Sequence, residues 1–297
     1  MRILLIGKDG QLGHDLVPVL SAIGDLVAIG RETLDLEDGE AIRQSLRQVQ
    51  PDITINAAAY TAVDRAESEA DRAEAINGVA PTVMAEVSQE LGSALVHVST
   101  DYVFDGQKNT PYLEEDPTNP LSVYGRSKLA GEQGVQQGCD RHAIIRTAWV
   151  YGVGGKGNFV KTMLRLGAER EVLKVVVDQV GTPTWTGDLA EAIGQFVFHL
   201  CPNGSSEAAT GIYHYANSGA ISWYDFAVAI FEEAALLGVP LKVQQVIPIL
   251  SAEYPTPVTR PAYSVLSGKK TSVLLGKTAP HWRQSLRLML KQWMKMS

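Results

Sequence analysis

The sequence predicts a doubly wound α/β fold, a parallel sheet with helices on both faces, and a smaller C-terminal lobe. Three observations carry this. The apolar run Ile3 to Ile6 is closed by Gly7 and followed by Leu12, Leu16 and Leu20, the pattern of a strand buried on both faces leading into a helix. As far as Trp149 such runs alternate with helical periods, and that order implies right-handed βαβ units. Beyond Trp149 the alternation loosens.

Leu26 to Ile29 reads as the second strand, and Ala41-Ile42 with Leu46 and Val49 marks a short amphipathic helix ahead of Pro51. Ile53 to Ile55 is a third strand, with Asn56 to Ala59 at its carboxyl end, where open α/β sheets place ligands. Helical stretches follow around Val63 to Glu69 and from Ala73 to Leu91, the latter closed by Gly92. Leu95 to Val98 is a buried strand ending in Ser99-Thr100-Asp101. A loop broken by Gly106, Pro111, Pro117 and Pro120 leads to Ser122, an expected N-cap. The strand Ala143 to Ile145 completes residues 1–150 as the dinucleotide-binding domain, to which 183–210 is expected to return. Residues 151–182 and 211–297 are expected to form the substrate lobe, with helices at Phe159 to Leu166, Ser222 to Leu237 and Trp282 to Trp293.

A net charge of -7 over 297 residues argues against a nucleic-acid surface or an anionic membrane. Cys139 and Cys201 fit no metal or redox spacing, the six histidines show no ligand spacing, and no apolar run is long enough to span a membrane. With no secretory leader, the expected location is the cytoplasm, and Asn203-Gly204-Ser205 is read as a chance acceptor match.

Gly7, Gly10 and Gly13 suit a dinucleotide: a sharp turn, room for a pyrophosphate, and close packing of helix on strand. The phosphates would rest beside Gln11 and Leu12 on the helix N-terminus. Alone, the spacing also fits an ordinary tight turn. Tyr124 and Lys128 stand one helical turn apart on the face that also carries Glu132. A neighbouring ammonium lowers a phenol toward neutrality and fits it to give a proton to a carbonyl. Tyr-x-x-x-Lys also arises by accident, but a glycine turn, Ser99-Thr100 after a later strand and Tyr124 with Lys128 on the next helix form a much rarer order.

With those motifs the chain resembles the extended short-chain dehydrogenase/reductases, and among them the dTDP-4-dehydrorhamnose reductase family. The matching segments include Gly7 to Gly13, Pro51-Asp52 through Asn56 to Asp64, Ser99 to Gly106, Val123 to Glu132, Arg146 to Tyr151, Asp178-Gln179, Trp223 to Asp225 and Tyr254 to Pro261. The resemblance implies reduction of a C4 ketone on a dTDP-sugar. Thr100, Tyr124 and Lys128 would be the catalytic set, Tyr124 the proton donor and Thr100 the hydrogen-bond donor to the developing oxyanion. Asp101 and Trp149 would contact the sugar and Arg260 the diphosphate. Gly7, Gly10, Gln11, Leu12, Gly13, Gly30, Arg31, Asp35, Leu36, Ala57, Ala58, Ala59, Tyr60 and Thr61 would line the cofactor, together with Tyr124 and Lys128.

Two departures shape the expectation. Gly30-Arg31 replaces the acidic residue that often ends the second strand, which favours NADPH, with NADH still usable. Some members of the family form magnesium-bridged dimers through acidic ligands. This chain offers Asp15 at the first ligand position but Gly187 and Gln292 at the other two, so no structural magnesium and a monomer or weak homodimer are expected. Other readings are a 4-epimerase or a reductase of another nucleotide-4-keto-sugar, and a non-catalytic subunit like the β-subunit of methionine adenosyltransferase. A 4,6-dehydratase is disfavoured, because Tyr102 stands where its glutamate would.

Overall fold

The computed structural model describes residues 1–200 and 209–296; Cys201 and Asn203-Gly204-Ser205 lie outside the described residues. The first half runs β1 (Arg2–Ile6), α1 (Gln11–Ser21), β2 (Asp25–Ile29), α2 (Gly39–Val49), β3 (Ile53–Asn56), α3 (Val63–Ala66), α4 (Ala70–Glu74), a π-turn (Ala75–Val79), α5 (Ala80–Glu90), β4 (Ala94–Thr100), α6 (Val123–Gly138) and β5 (His142–Thr147). There follow β6 (Val150–Tyr151), α7 (Phe159–Glu169), β7 (Val172–Val176), β8 (Val180–Gly181), β9 (Thr184–Trp185) and α8 (Thr186–Leu200). The chain ends with β10 (Gly211–His214), β11 (Ile221–Ser222), α9 (Trp223–Leu236), β12 (Gln245–Ile249), α10 (Lys269–Leu275) and α11 (Trp282–Met296).

Six parallel strands form one sheet in the order β10-β5-β4-β3-β1-β2. Strand β1 shows why it is wound on both faces. Ile3 and Leu5 enter one core with Leu12, Leu16 and Leu20 of α1 and Phe196 of α8. Leu4 and Ile6 enter the opposite core with Ile42 and Leu46 of α2 and Met84 of α5. Each such side chain contributes about 1.5–3 kcal/mol when fully buried. The direction of strand addition reverses between β1 and β3, so a crevice opens beyond their carboxyl ends, where sheets of this kind take ligands.

The second lobe has a core of its own. Val160, Met163 and Leu164 of α7, Phe226 and Ile230 of α9, and Leu286 and Met289 of α11 build it. Strand β10 lies within the segment expected in this lobe, yet it pairs with β5 at the sheet edge. Leu274 and Leu275 of α10 also pack on the first core. The boundary expected at 210 therefore falls after β10, because the sheet needs that strand to cover β5.

The helix expected from Ala73 to Leu91 begins at Ala70 and is interrupted by the π-turn. Pro81 has no N–H to give the Asn77 carbonyl, so the regular ladder breaks there. The same carbonyl is where α6 comes closest: a Cβ on Gly131 would collide with it and lie 2.8 Å from Pro81 Cγ.

A buried ion pair fixes α6 to the sheet. Arg146 Nη2 is 2.7 Å from Glu132 Oε2, and Arg146 Nε donates to Glu132 Oε1 at 2.9 Å. Ser99 Oγ donates to the same Oε1 at 2.5 Å. Removing one partner of a buried pair leaves an uncompensated charge, a cost of about 3–5 kcal/mol, whereas an apolar pair of similar volume is often neutral. Glu132→Ala is therefore expected to lower stability by about that amount in urea unfolding. Glu132→Leu with Arg146→Met should recover most of the loss; a single variant within about 1 kcal/mol of wild type contradicts the assignment.

Candidate active site

The turn after β1 is built by its glycines. Gly7 has φ +98°, its N–H donates to Ile29 O at 2.9 Å, and a Cβ on it would lie 2.8 Å from Ala58 N. A Cβ on Gly13 would strike the Gly7 carbonyl, so α1 can approach the turn only with glycine at that position. Gly10 is the N-cap of α1, with no side-chain cap, and a Cβ there would meet only Gly7 O at 3.4 Å. The first-turn N–H groups are left without a side-chain cap. That cradle fits a dinucleotide pyrophosphate.

The glycine-rich segment from Gly152 to Gly157 closes beside it. Asn158 Nδ2 donates to Gln11 Oε1 at 2.7 Å, and Lys161 Nζ donates to the carbonyls of Val153, Gly154 and Gly155 at 2.7, 3.1 and 3.2 Å. Leu12 is buried in the first core.

At the end of β2 the side chains crowd together. Gly30 does remove a side chain there, but carboxylates return from its neighbours: a Cβ on Gly30 would collide with those of Asp9 and Glu32. Lys8 Nζ pairs with both, at 2.9 Å from Asp9 Oδ1 and 2.8 Å from Glu32 Oε1. Arg31 is exposed beside them. Asp35 Oδ1 accepts from Glu37 N at 3.0 Å, and Leu36 is half-buried against the second core. Across the crevice, Ala57 N donates to Ile6 O at 3.0 Å, Ala58 N to Asn56 Oδ1 at 3.1 Å, and Tyr60 N to Asn77 Oδ1 at 2.9 Å. Ala59 is half-buried and Thr61 exposed on the same rim.

The expected N-cap of α6 is present: Ser122 Oγ accepts from Gly125 N at 3.1 Å. It sets the first turn of the helix so that Tyr124 lies buried beside the end of β4. Thr100 Oγ1 donates to Asp101 Oδ1 at 3.1 Å and accepts from Tyr102 N at 3.2 Å. The Tyr102 ring meets that of Tyr124 edge-on, centroids 5.4 Å apart.

Burial pushes the Tyr124 phenol well above its ordinary range, although the facing Thr100 hydroxyl opposes the shift. It pushes Tyr102 up to about 12, and Asp101 up to about 6 against the pull of the Ser264 and Thr100 hydroxyls. The sequence implied a phenol lowered by the lysine. Instead Lys128 Nζ donates to Val98 O at 2.7 Å and lies 3.2 Å from His97 Nε2. It is turned toward the strand rather than to Tyr124, and burial lowers it to about 8.

Trp149 takes φ +48°, a strained conformation for a bulky residue and one that clusters at ligand sites. Its indole stacks face to face on Trp223, centroids 3.5 Å apart, and occupies the space that a Cβ on Gly181 would need. Arg260 Nη2 donates to Asp64 Oδ2 at 3.0 Å and its guanidinium stands beside Tyr102, while its Nε is buried without a partner. Asp15 accepts from Thr186 Oγ1 and lies 3.1 Å from His14 Nδ1. Among the described residues no group of three or more histidine, cysteine or acidic side chains is placed to hold a metal.

The structure thus gathers Thr100, Asp101, Tyr124, Lys128, Tyr102 and Arg260 at the carboxyl edge of the sheet. The nucleotide turn lies at the switch point. Sequence reasoning missed His97 and Asn77, and named Asn56 and Trp223 only within longer segments. A histidine inside the apolar strand Leu95 to Val98 was the available signal for the first; the π-turn that presents Asn77 leaves no periodic mark.

The sequence profile of the RmlD substrate binding domain matches residues 1–295. A dTDP-4-dehydrorhamnose reductase of Escherichia coli K12 is 42% identical over 297 residues, covering 98% of each chain. The Burkholderia thailandensis reductase is 41% identical over 294 residues, again covering 98% of each. Among solved structures, a Clostridium acetobutylicum dTDP-4-dehydrorhamnose reductase superposes with a TM-score of 0.90 at 37% identity, covering 99% of this chain and 100% of that one. The Bacillus anthracis reductase in complex with NADP superposes with a TM-score of 0.89 at 37% identity, covering 98% and 99%. A Thermus thermophilus UDP-glucose 4-epimerase, 21% identical with a TM-score of 0.80, shares the fold.

Asp101 gives a pH-dependent stability with a definite sign. Its folded pKa, about 6, lies above the ordinary carboxyl value. Its contribution is therefore fully present below about pH 4 and lost as pH rises through about 6, a difference of about 3 kcal/mol for two pKa units. Asp101→Asn is expected to flatten that dependence, so its melting temperature should exceed that of wild type at pH 8 and match it near pH 4. An unchanged gap at both pH values contradicts the assignment.

Proposed function

The chain belongs to the RmlD substrate binding domain family, and from that premise we propose that it uses NADPH to reduce the C4 ketone of dTDP-4-dehydro-L-rhamnose to dTDP-L-rhamnose. The observation that carries the reading is the meeting of the Thr100 hydroxyl and the Tyr124 phenol at the carboxyl edge of the sheet, one helical turn before Lys128, beside an uncapped helix N-terminus shaped for a pyrophosphate. NADPH supplies a hydride when bound; NADH remains usable.

The protein's own groups do the rest. Tyr124 keeps its proton because the buried site resists a phenolate, and it gives that proton to the oxygen formed at C4. The Thr100 hydroxyl hydrogen-bonds the same oxygen as it gains charge. Asp101 Oδ2, buried and without a partner, is free to accept from a sugar hydroxyl, and Trp149 with Trp223 forms the wall against which the sugar packs. Arg260 serves the diphosphate while anchored to Asp64. Lys128 holds the ribose hydroxyls. At the adenosine end Arg31 pairs with the 2′-phosphate; Asp35 and Leu36 border the adenine; Gly7 to Gly13, Gly30 and Ala57 to Thr61 line the remainder. Asp15 is engaged by Thr186 and His14, and we assign the protein no structural magnesium, a monomeric or weakly dimeric state and a cytoplasmic location.

Loss of nicotinamide absorbance with the 4-keto sugar, measured with NADPH and NADH in parallel, tests the reading. Tyr124→Phe is expected to lose about 10²–10⁴-fold in kcat while still binding NADPH. Folded wild-type protein that binds NADPH and does not turn over overturns the substrate assignment. Arg31→Ala should raise KM for NADPH and leave KM for NADH nearly unchanged; an equal change in both removes Arg31 from 2′-phosphate recognition.

A further inference from the structure

Behind Lys128 lies a chain of buried polar groups that the proposed reaction does not use. His97 of β4 is fully buried, with Asn56 of β3 on one ring nitrogen and Lys128 of α6 on the other. Counting hydrogens along this chain fixes the protonation of each member.

Asn56 Oδ1 accepts from Ala58 N at 3.1 Å, which orients the amide and puts Nδ2 3.1 Å from His97 Nδ1. Since the amide nitrogen can only donate, His97 Nδ1 accepts, and a neutral imidazole must carry its proton on Nε2. That Nε2–H faces Lys128 Nζ at 3.2 Å. An ammonium has no lone pair and would meet it donor to donor, whereas an amine accepts from Nε2–H and still donates to Val98 O at 2.7 Å.

We propose that His97 is a positioning residue that acts through Lys128, holding it as a free amine in the unliganded protein by donating Nε2–H to its nitrogen. The surroundings agree. His97 itself is held far below its ordinary range by burial. The titratable groups on the elements packed around Lys128 include His97, Asp101, Tyr102, Tyr124, Glu132 and Arg146. Glu132 is the one that favours the ammonium, and its carboxylate is already taken by Arg146 and Ser99. The consequence is a lysine that can take a proton from the medium rather than one that arrives already charged. Its relevance to turnover rests on the reductase reading, but the protonation state does not.

The test is a pH titration of the free protein labelled with [ε-13C]lysine, read by NMR, with the Lys128 resonance assigned by its absence in Lys128→Met. Lys128 is expected to titrate near pH 8, apart from the surface lysines at about 10.4. In His97→Gln, whose amide oxygen can accept from an ammonium, the midpoint should rise by about one unit or more. A wild-type Lys128 that titrates with the surface lysines, or a midpoint that does not move in His97→Gln, overturns the proposal. If His97→Gln does not fold, His97→Asn takes its place, with the same rise expected and an unmoved midpoint overturning the proposal. Either failure leaves the reductase reading standing, since no substrate or cofactor is present.

Discussion

Helix α6 must lie hard against the end of β4, and the rest of the site depends on that contact. Two features impose it. Gly131 lets the helix reach the Asn77 carbonyl at the π-turn, and the Arg146–Glu132–Ser99 cluster ties the middle of the helix to β5 and β4. Such a pair contributes little net stability over an apolar replacement. Its value is in register: Glu132 stands one turn beyond Lys128 and two beyond Tyr124, so fixing it fixes the position of both.

Dryness is the second consequence. In a buried site the uncharged form of each group is favoured, and here that holds the phenol of Tyr124 protonated, raises Asp101 and lowers Lys128. A proton donor that keeps its proton until an oxyanion forms beside it suits ketone reduction. The cost appears in Asp101 and in the strained Trp149, both of which the fold carries at the substrate edge.

Much of this was legible in the sequence. The strands and helices of the first half follow from apolar runs and glycine or proline breaks, and Ser122 announced α6 by its capping chemistry. The Tyr124 and Lys128 pairing on one face followed from helical spacing alone. What stayed hidden depends on non-local geometry. The π-turn arises from Pro81 against α6, β10 joins the sheet across a long stretch of chain, and the carboxylates of Asp9 and Glu32 meet at Gly30 only after folding. The direction of Lys128 was hidden for the same reason: spacing places its Cα beside Tyr124, but the partners of its nitrogen lie on β4.

The central claim is that the site delivers hydrogen to C4 of the sugar from the nicotinamide side while the protein delivers the proton to oxygen. Turnover with NADPH deuterated at the transferred position, followed by NMR of the product, tests this most directly. The account predicts deuterium at C4 of the sugar, and in heavy water with unlabelled NADPH no deuterium at that carbon. Deuterium entering C4 from solvent, or label found at another carbon, would contradict it.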